Sequence, residues 1–167
     1  DLYYYYPHAK NSVFTVPLGV DQTFFDPPQK ETINRVIAKY QLHTPYILYV
    51  GAIEPRKNIP TLITAFNQVH QSHPELQLVL AGRAGWKNEE VFELITKYNL
   101  KDKVRCTGYI DENDLPGLYQ GAQLFVYPSL YEGFGLPPLE ALASGTPTIA
   151  YNSPSLDQQF VDHIDPA

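Results

Sequence analysis

The 167 residues suffice for one domain with one core, and 44% hydrophobic with 18% charged content is ordinary globular composition. A net charge of −6, with no block of like charges, excludes the basic footprint that nucleic-acid binding requires, although a local cation pair can still meet a phosphate. No apolar run approaches the roughly 18 residues that cross a bilayer, no signal-peptide pattern opens the chain, and the single cysteine, Cys106, builds neither an internal disulfide nor a thiolate metal site.

The expected setting is therefore cytoplasmic, with Cys106 a small buried residue on a strand. The chain contains no Met, opens on the aromatic run Tyr3-Tyr4-Tyr5-Tyr6-Pro7 and stops at Asp165-Pro166-Ala167 without a closing helix. Both ends are read as excision points from a longer protein.

Val13 to Val16 is a short β-branched and aromatic run, and Pro27-Pro28 then punctuates before a helix over 33–40, where Ile33, Val36, Ile37 and Tyr40 recur at helical spacing. Residues 46–50 are continuously apolar, as in a strand buried on both faces. Leu62, Ile63, Phe66 and Val69 make one face of a helix over 58–70. The alternation continues with a strand over 76–81 and a helix over 88–98, then a strand over 104–108 and a short helix near 114–119. A strand over 124–127 leads through a Gly- and Pro-rich loop to a helix over 137–144. A last strand over 146–150 precedes a helix around 155–161. Strands alternating with helices of these lengths predict right-handed βαβ units, hence an α/β fold: three layers, α/β/α, Rossmann-like, with a mainly parallel sheet. Ligands of such sheets bind at the carboxyl ends of the strands, which selects segments 51–58, 82–87, 108–112 and 128–138.

The strongest chemical signal is Ser129-Leu130-Tyr131-Glu132-Gly133-Phe134-Gly135-Leu136-Pro137-Pro138-Leu139-Glu140. Glu132 is expected in the loop after a strand and Glu140 in the first turn of the next helix. Gly133 and Gly135 let backbone approach a ligand closely, and the prolines start the helix, so its positive end and free N–H groups are aimed at an anion. An ionised carboxylate accepts from two hydroxyls, and a phosphate flanked by two polyols is a sugar nucleotide. The structural alternative makes Glu140 a complement to the helix dipole and Glu132 part of a solvated loop.

The second signal is Gly51-Ala52-Ile53-Glu54-Pro55-Arg56-Lys57-Asn58, where Arg56 and Lys57 form the only adjacent basic pair in the chain. Arg holds a diphosphate bidentately and Lys adds a point charge, so the pair can stabilise a departing diphosphate. The alternative is an exposed basic turn with Asn58 as N-cap. No Gly-x-Gly-x-x-Gly with a following acidic residue succeeds the first central strand, so a dinucleotide-dependent oxidoreductase is set aside.

On these motifs the stretch 46–154 resembles the C-terminal domain of the family 4 retaining glycosyltransferases, whose GT-B fold sets two Rossmann-like domains around an active-site cleft. The resemblance implies that Glu132 contacts the donor hexose hydroxyls and Glu140 the ribose hydroxyls. Backbone at Gly133, Phe134, Gly135 and Leu136 would meet the sugar and diphosphate, and Arg56 and Lys57 would match the family's cations on the diphosphate. Gly51, Gly82 and Arg83 would lie on the donor side, and backbone around Gly108, Tyr109 and Ile110 would meet the base. Gly51 to Asn58, with Ala81-Gly82 and Gly108-Tyr109-Ile110, looks closest to the mannosyltransferase-rich subgroup. Pro17-Leu18-Gly19-Val20-Asp21 resembles the family's entry into this domain, which makes 1–27 an interdomain entry segment and 28–167 a nucleotide-sugar-binding domain cut short at its end. The expected ligand is a GDP- or UDP-hexose donor, with no cofactor and no metal. The expected partner is a missing N-terminal acceptor-binding domain, through which any membrane contact would run. The isolated chain would then bind without transferring. Ala52 departs from the family, which often carries Arg there; Arg56 is inferred to replace that charge. The tail 157–167 matches the family pattern poorly, and none of the five histidines suits the catalytic role the missing domain often supplies. His70 and His73 are expected on the surface, and Trp86 against the sheet edge.

Overall fold

The computed structural model describes residues 2–8, 12–14, 16 and 18–152. A short helix α1 (Leu2–Tyr5) opens it. After α2 (Lys30–Tyr40) the alternation runs β1 (Tyr46–Val50), α3 (Ile59–Ser72), β2 (Gln77–Ala81), α4 (Glu89–Lys97), β3 (Val104–Gly108), α5 (Leu115–Gln120), β4 (Leu124–Tyr127), α6 (Leu136–Ala143) and β5 (Thr148–Ala150). All strand pairs are parallel, in the order β3-β2-β1-β4-β5. The chain therefore builds outward from β1 to β3, returns across the sheet and builds outward again from β4. Right-handed crossovers in opposite directions place their helices on opposite faces. Accordingly α3 packs with α4, while α5 packs with α2 and α6. The α/β/α expectation holds.

β1 and β2 read as unbroken apolar runs because both faces are covered: Tyr46, Leu48, Leu78 and Leu80 are fully buried against Ile63, Phe66 and Phe125. Tyr46 is a polar exception that is satisfied, its hydroxyl donating to the Leu118 carbonyl at 2.6 Å. Three sequence expectations are corrected. Cys106 is exposed, because among the described residues β3 is an edge strand with a neighbour on one side only. The last strand begins at Thr148, because Gly145 and Thr146 close α6: their N–H groups donate to the carbonyls of Leu142 and Ala141. α6 begins at Leu136, one residue earlier than expected. In the run before α2, Phe14 and Val16 are exposed. The helix expected over 155–161 and the tail lie outside the described residues.

α2 is tied to the segment that follows β3 by a buried carboxylate. Asp114, with its side chain 2% exposed, receives Arg35 Nη1 at 3.0 Å, Lys39 Nζ at 2.6 Å and the Tyr40 hydroxyl at 2.9 Å. Lys39 also pairs with Asp111, whose backbone N–H donates to the Tyr40 hydroxyl. Burial pushes the Asp114 carboxyl up, but the Lys39 and Tyr40 hydrogen bonds outweigh it and hold the group below its ordinary value. A carboxyl depressed in the folded state contributes stability that is complete above its unfolded pKa and lost as pH falls through the folded value. Asp114→Asn is expected to cost about 1–3 kcal/mol at neutral pH. Urea unfolding of both chains from pH 7 down to pH 2 should show that gap closing below about pH 4; a gap constant with pH would contradict this account.

Candidate functional site

The reversal of strand order sets the loops that follow β1 and β4 side by side at the topological switch point of the sheet, where sheets of this kind bind their ligands. The first loop makes a 3-10 turn, Pro55–Lys57, and the second carries Glu132. A backbone bond from Leu130 N–H to the Arg56 carbonyl, 2.9 Å, fastens them together. Glu132 then bridges both cations: Lys57 Nζ lies 2.5 Å from Oε1 and Arg56 Nη1 2.8 Å from Oε2. Arg56 also pairs with Glu54 at 2.7 Å and donates to the Tyr131 carbonyl at 3.3 Å. Lys57 donates to the Tyr127 hydroxyl at 3.2 Å and sits 5.2 Å over that ring.

Exposure separates the members of this cluster. The side chains of Lys57 and Glu132 are each 8% exposed, whereas Arg56 is 47% exposed. Glu132 is therefore no solvated loop residue, and Lys57 no part of an exposed turn. Burial pushes the Glu132 carboxyl up, and the hydrogen bond and charge of Lys57, with Ser129 and Tyr127, together more than reverse this and hold it below its ordinary value. Arg56 at the surface and Lys57 behind it are held in place by the carboxylates of Glu132 and Glu54, a preorganised cation pair that an incoming anion can engage.

α6 opens directly behind Glu132. Its N-cap, Gly135, has φ 94° and ψ 58°, a left-handed conformation that glycine adopts without penalty, and prolines follow in the first turn. Glu140 lies one residue further into α6 than the sequence suggested, just past its first turn; it is half-buried and accepts from the Tyr119 hydroxyl at 2.8 Å. Burial pushes its carboxyl up, and the Tyr119 bond offsets this only in part. Glu140 also borders a cavity of about 400 Å³ shared with Asp21, Phe24, Glu112 and Asn113.

The remaining expected residues lie along the same strand edge. Pairing continues past the strands: Gly51 N–H donates to the Ala81 carbonyl at 2.8 Å, Ile53 N–H to Arg83 at 3.0 Å, and Gly82 N–H to Gly108 at 2.9 Å. Gly51, Gly82 and Gly108 are thereby joined as one rim. Ile110 is buried, while Tyr109 is exposed with the Arg83 guanidinium 5.2 Å over its ring. Arg83 and Tyr109 thus pair with each other, and neither contacts the Arg56–Lys57–Glu132 cluster. Asn58 occupies the N-cap position of α3 without a side-chain capping bond, its φ being 55°. Trp86 does not pack on the sheet edge; it is 61% exposed, with Lys87 5.3 Å over its ring. His70 is half-buried and stacked on Phe66, centroids 5.6 Å apart, rather than free at the surface, whereas His73 is exposed. Among the described residues no group of three His, Cys, Asp or Glu is placed to hold a metal, and no helix is long and apolar enough to cross a membrane.

Sequence reasoning missed Glu54, Tyr119 and Tyr127. A usable signal was present for the tyrosines: Tyr127 ends a buried strand, and a buried phenol needs a partner.

With this geometry in hand, comparison with known proteins is informative. The family model for glycosyl transferases group 1 matches residues 29–165. The O-antigen chain mannosyltransferase B of Escherichia coli is 42% identical over 129 residues, 76% of this chain and 34% of that protein. The chain thus spans about a third of the length of this relative. Among solved structures, the sucrose-phosphate synthase of Thermosynechococcus elongatus superposes with TM-score 0.70 at 34% identity, covering 86% of this chain and 36% of that one. The pneumococcal O-GlcNAc transferase GtfA, solved with UDP and GlcNAc, superposes with TM-score 0.63 at 27% identity over 72% of this chain and 23% of that one.

Proposed function

The chain belongs to the glycosyl transferases group 1 family, and from that premise we propose that it is the donor-binding half of a retaining hexosyltransferase of glycan or polysaccharide biosynthesis. The donor is a nucleoside-diphosphate hexose, which we read as GDP-mannose, its mannosyl part being supported by the mannosyltransferase relative. The observation that carries this reading is Glu132 bridging Arg56 and Lys57 at the switch point. A diphosphate is the ligand that two such cations fit, and its arrival frees Glu132 to accept from hexose hydroxyls. During transfer the negative charge on the leaving diphosphate grows, and cations already in place stabilise it without reorganisation. The N-terminus of α6 adds its partial positive charge. Glu140 accepts from the ribose. That GtfA was solved with UDP and GlcNAc supports a nucleotide-sugar donor.

The acceptor-binding half is a partner in the same proposal, because the match takes in 34% of the mannosyltransferase's length. The 167-residue chain by itself is then a sugar-nucleotide-binding module without transfer activity. Sugar transfer by the purified chain to any added acceptor would refute that part.

Thermal unfolding with GDP, UDP and ADP and their hexose conjugates tests the donor site. A ligand at a hundred times its dissociation constant adds about 2.7 kcal/mol, roughly 5–10 °C for this size. The expected result is a rise with one nucleotide that Glu140→Ala cuts to about half, since a tenfold weaker complex still adds about 1.4 kcal/mol at the same concentration. A flat response across the panel, repeated with the full-length protein, would dismiss the donor site.

A further inference from the structure

A row of aromatic rings runs through the core beneath the site. Phe24 meets Tyr119 edge-on with centroids 5.9 Å apart, Tyr119 meets Phe125 at 5.4 Å, Phe125 stacks on Tyr127 at 6.0 Å, and Tyr127 on Tyr49 at 6.5 Å. Two of its hydroxyls reach the site: that of Tyr127 meets Lys57, and that of Tyr119 meets Glu140. For packing alone phenylalanine would serve at position 119, and a fully buried hydroxyl costs free energy unless something returns it. Tyr119 is 0% exposed and its ring is held on two sides. Its own carbonyl accepts from Thr146 Oγ1 at 2.7 Å, which fastens α5 to the turn after α6. The hydroxyl therefore has a fixed position, and from α5 it donates to a carboxylate on α6.

Glu140 has no other anchor of comparable strength. Among the described residues it forms no ion pair with any Lys, Arg or His. Burial raises both the Tyr119 phenol and the Glu140 carboxyl, so the phenol stays protonated and remains the donor. One carboxylate oxygen, Oε2, is taken by Tyr119, and the same side chain borders the cavity of about 400 Å³. A carboxylate gripped on one side and open on the other is preorganised for a ligand, because the cost of immobilising its rotatable bonds is met on folding.

We propose that Tyr119 is a positioning residue, whose hydroxyl holds the Glu140 carboxylate in the orientation that receives the ribose hydroxyls of the bound nucleotide. This role rests on the donor-site reading above. It predicts a specific deficit: Tyr119→Phe keeps the ring and its neighbours but releases Glu140, so only ligands that use Glu140 are affected.

The test is calorimetric titration of the chain and of Tyr119→Phe with GDP, UDP and ADP, each beside its 2′,3′-dideoxy counterpart. The unaltered chain should prefer one ribonucleotide over its dideoxy form by about tenfold, the worth of hydrogen bonds to a charged group. In Tyr119→Phe that preference should fall to within about threefold while affinity for the dideoxy form stays unchanged. Glu140→Gln should give the same collapse, and adding Tyr119→Phe to it should change nothing more. Equal weakening of both ligand forms would show that Tyr119 supports the fold only, and would overturn the role. An unaltered chain that binds none of the nucleotides, or binds ribo and dideoxy forms alike, would instead overturn the donor-site reading, a result distinct from the first.

Discussion

In the full-length enzyme proposed above, Lys57→Ala lowers turnover by roughly a hundredfold or more, because it removes a fixed positive charge from the place where negative charge develops. Steady-state rates at saturating donor and acceptor measure it. The loss has two components, and they separate. Lys57 and Glu132 are nearly buried and 2.5 Å apart, so removing the ammonium leaves a buried carboxylate facing only the half-exposed Arg56. Breaking such a pair from one side costs about 3–5 kcal/mol of stability, whereas removing both charges is close to neutral. Lys57→Met combined with Glu132→Gln should therefore restore the unfolding midpoint and leave turnover low. Glu132→Ala should lose turnover to a similar degree for a different reason, since the hexose loses its acceptor. It should bind a nucleoside diphosphate without sugar at least as tightly as the parent, because Lys57 then has no internal anion to satisfy and Arg56 keeps only Glu54. Near-normal turnover in both Lys57→Ala and Glu132→Ala would sink the assignment of this cluster to the reaction.

Gly82→Ala is the second large effect, and it falls on stability. Gly82 has φ 150°, and a Cβ there would stand 2.0 Å from the Gly51 carbonyl oxygen and 2.6 Å from its carbon. Both neighbours are backbone, held by the bonds Gly51 N–H to Ala81 and Gly82 N–H to Gly108, so no side-chain rotation relieves the overlap. Separating the β1 and β2 loops breaks the pairing that continues past the strands, and a cost of about 3 kcal/mol or more follows, a fall of roughly 10 °C in melting temperature. Gly133→Ala is the internal control. A Cβ there meets nothing within 4 Å, and its effect on stability should stay within about 0.5 kcal/mol. Thermal melts of the two variants decide the matter; a Gly82→Ala chain as stable as Gly133→Ala would mean that the rim is looser than described.

How far the sequence could be read is clearest at β1. The unbroken apolar run of residues 46–50 announced a strand covered on both faces, and the strand is Tyr46–Val50. Alternation of such runs with amphipathic helices was enough for the parallel α/β/α sheet, because burial patterns are local and repeat along the chain. It was likewise enough for the four strand-edge loops, since a parallel sheet carries its ligands at the carboxyl ends. Local pattern failed where exposure depends on a neighbour distant in sequence. Cys106 looked like a core residue, but among the described residues β3 received no strand on its outer side. Trp86 was expected to pack and stands in solvent.

The candidate site divides in the same way. Glu132, Glu140, Arg56, Lys57 and the glycines between them were legible as residue types, because an anion site beside two carboxylates needs that chemistry at those loops. That Glu132 joins both cations, across more than seventy positions of sequence, was not legible. It follows from the return of the chain to place β4 beside β1, which sets the two loops side by side. Nor could the sequence reveal that Tyr119 and Tyr127 stand behind the charged groups: a tyrosine in an apolar run signals burial, and the partner of its hydroxyl is chosen only when helices and strands have packed. By itself the sequence determined the elements, the class of fold and the residues proposed to bind a sugar nucleotide, all of which depend on short-range periodicity and side-chain chemistry. Tertiary structure alone decided which charges meet, which are buried and which tyrosines hold them, because ion pairing and desolvation depend on distances that only the folded chain defines.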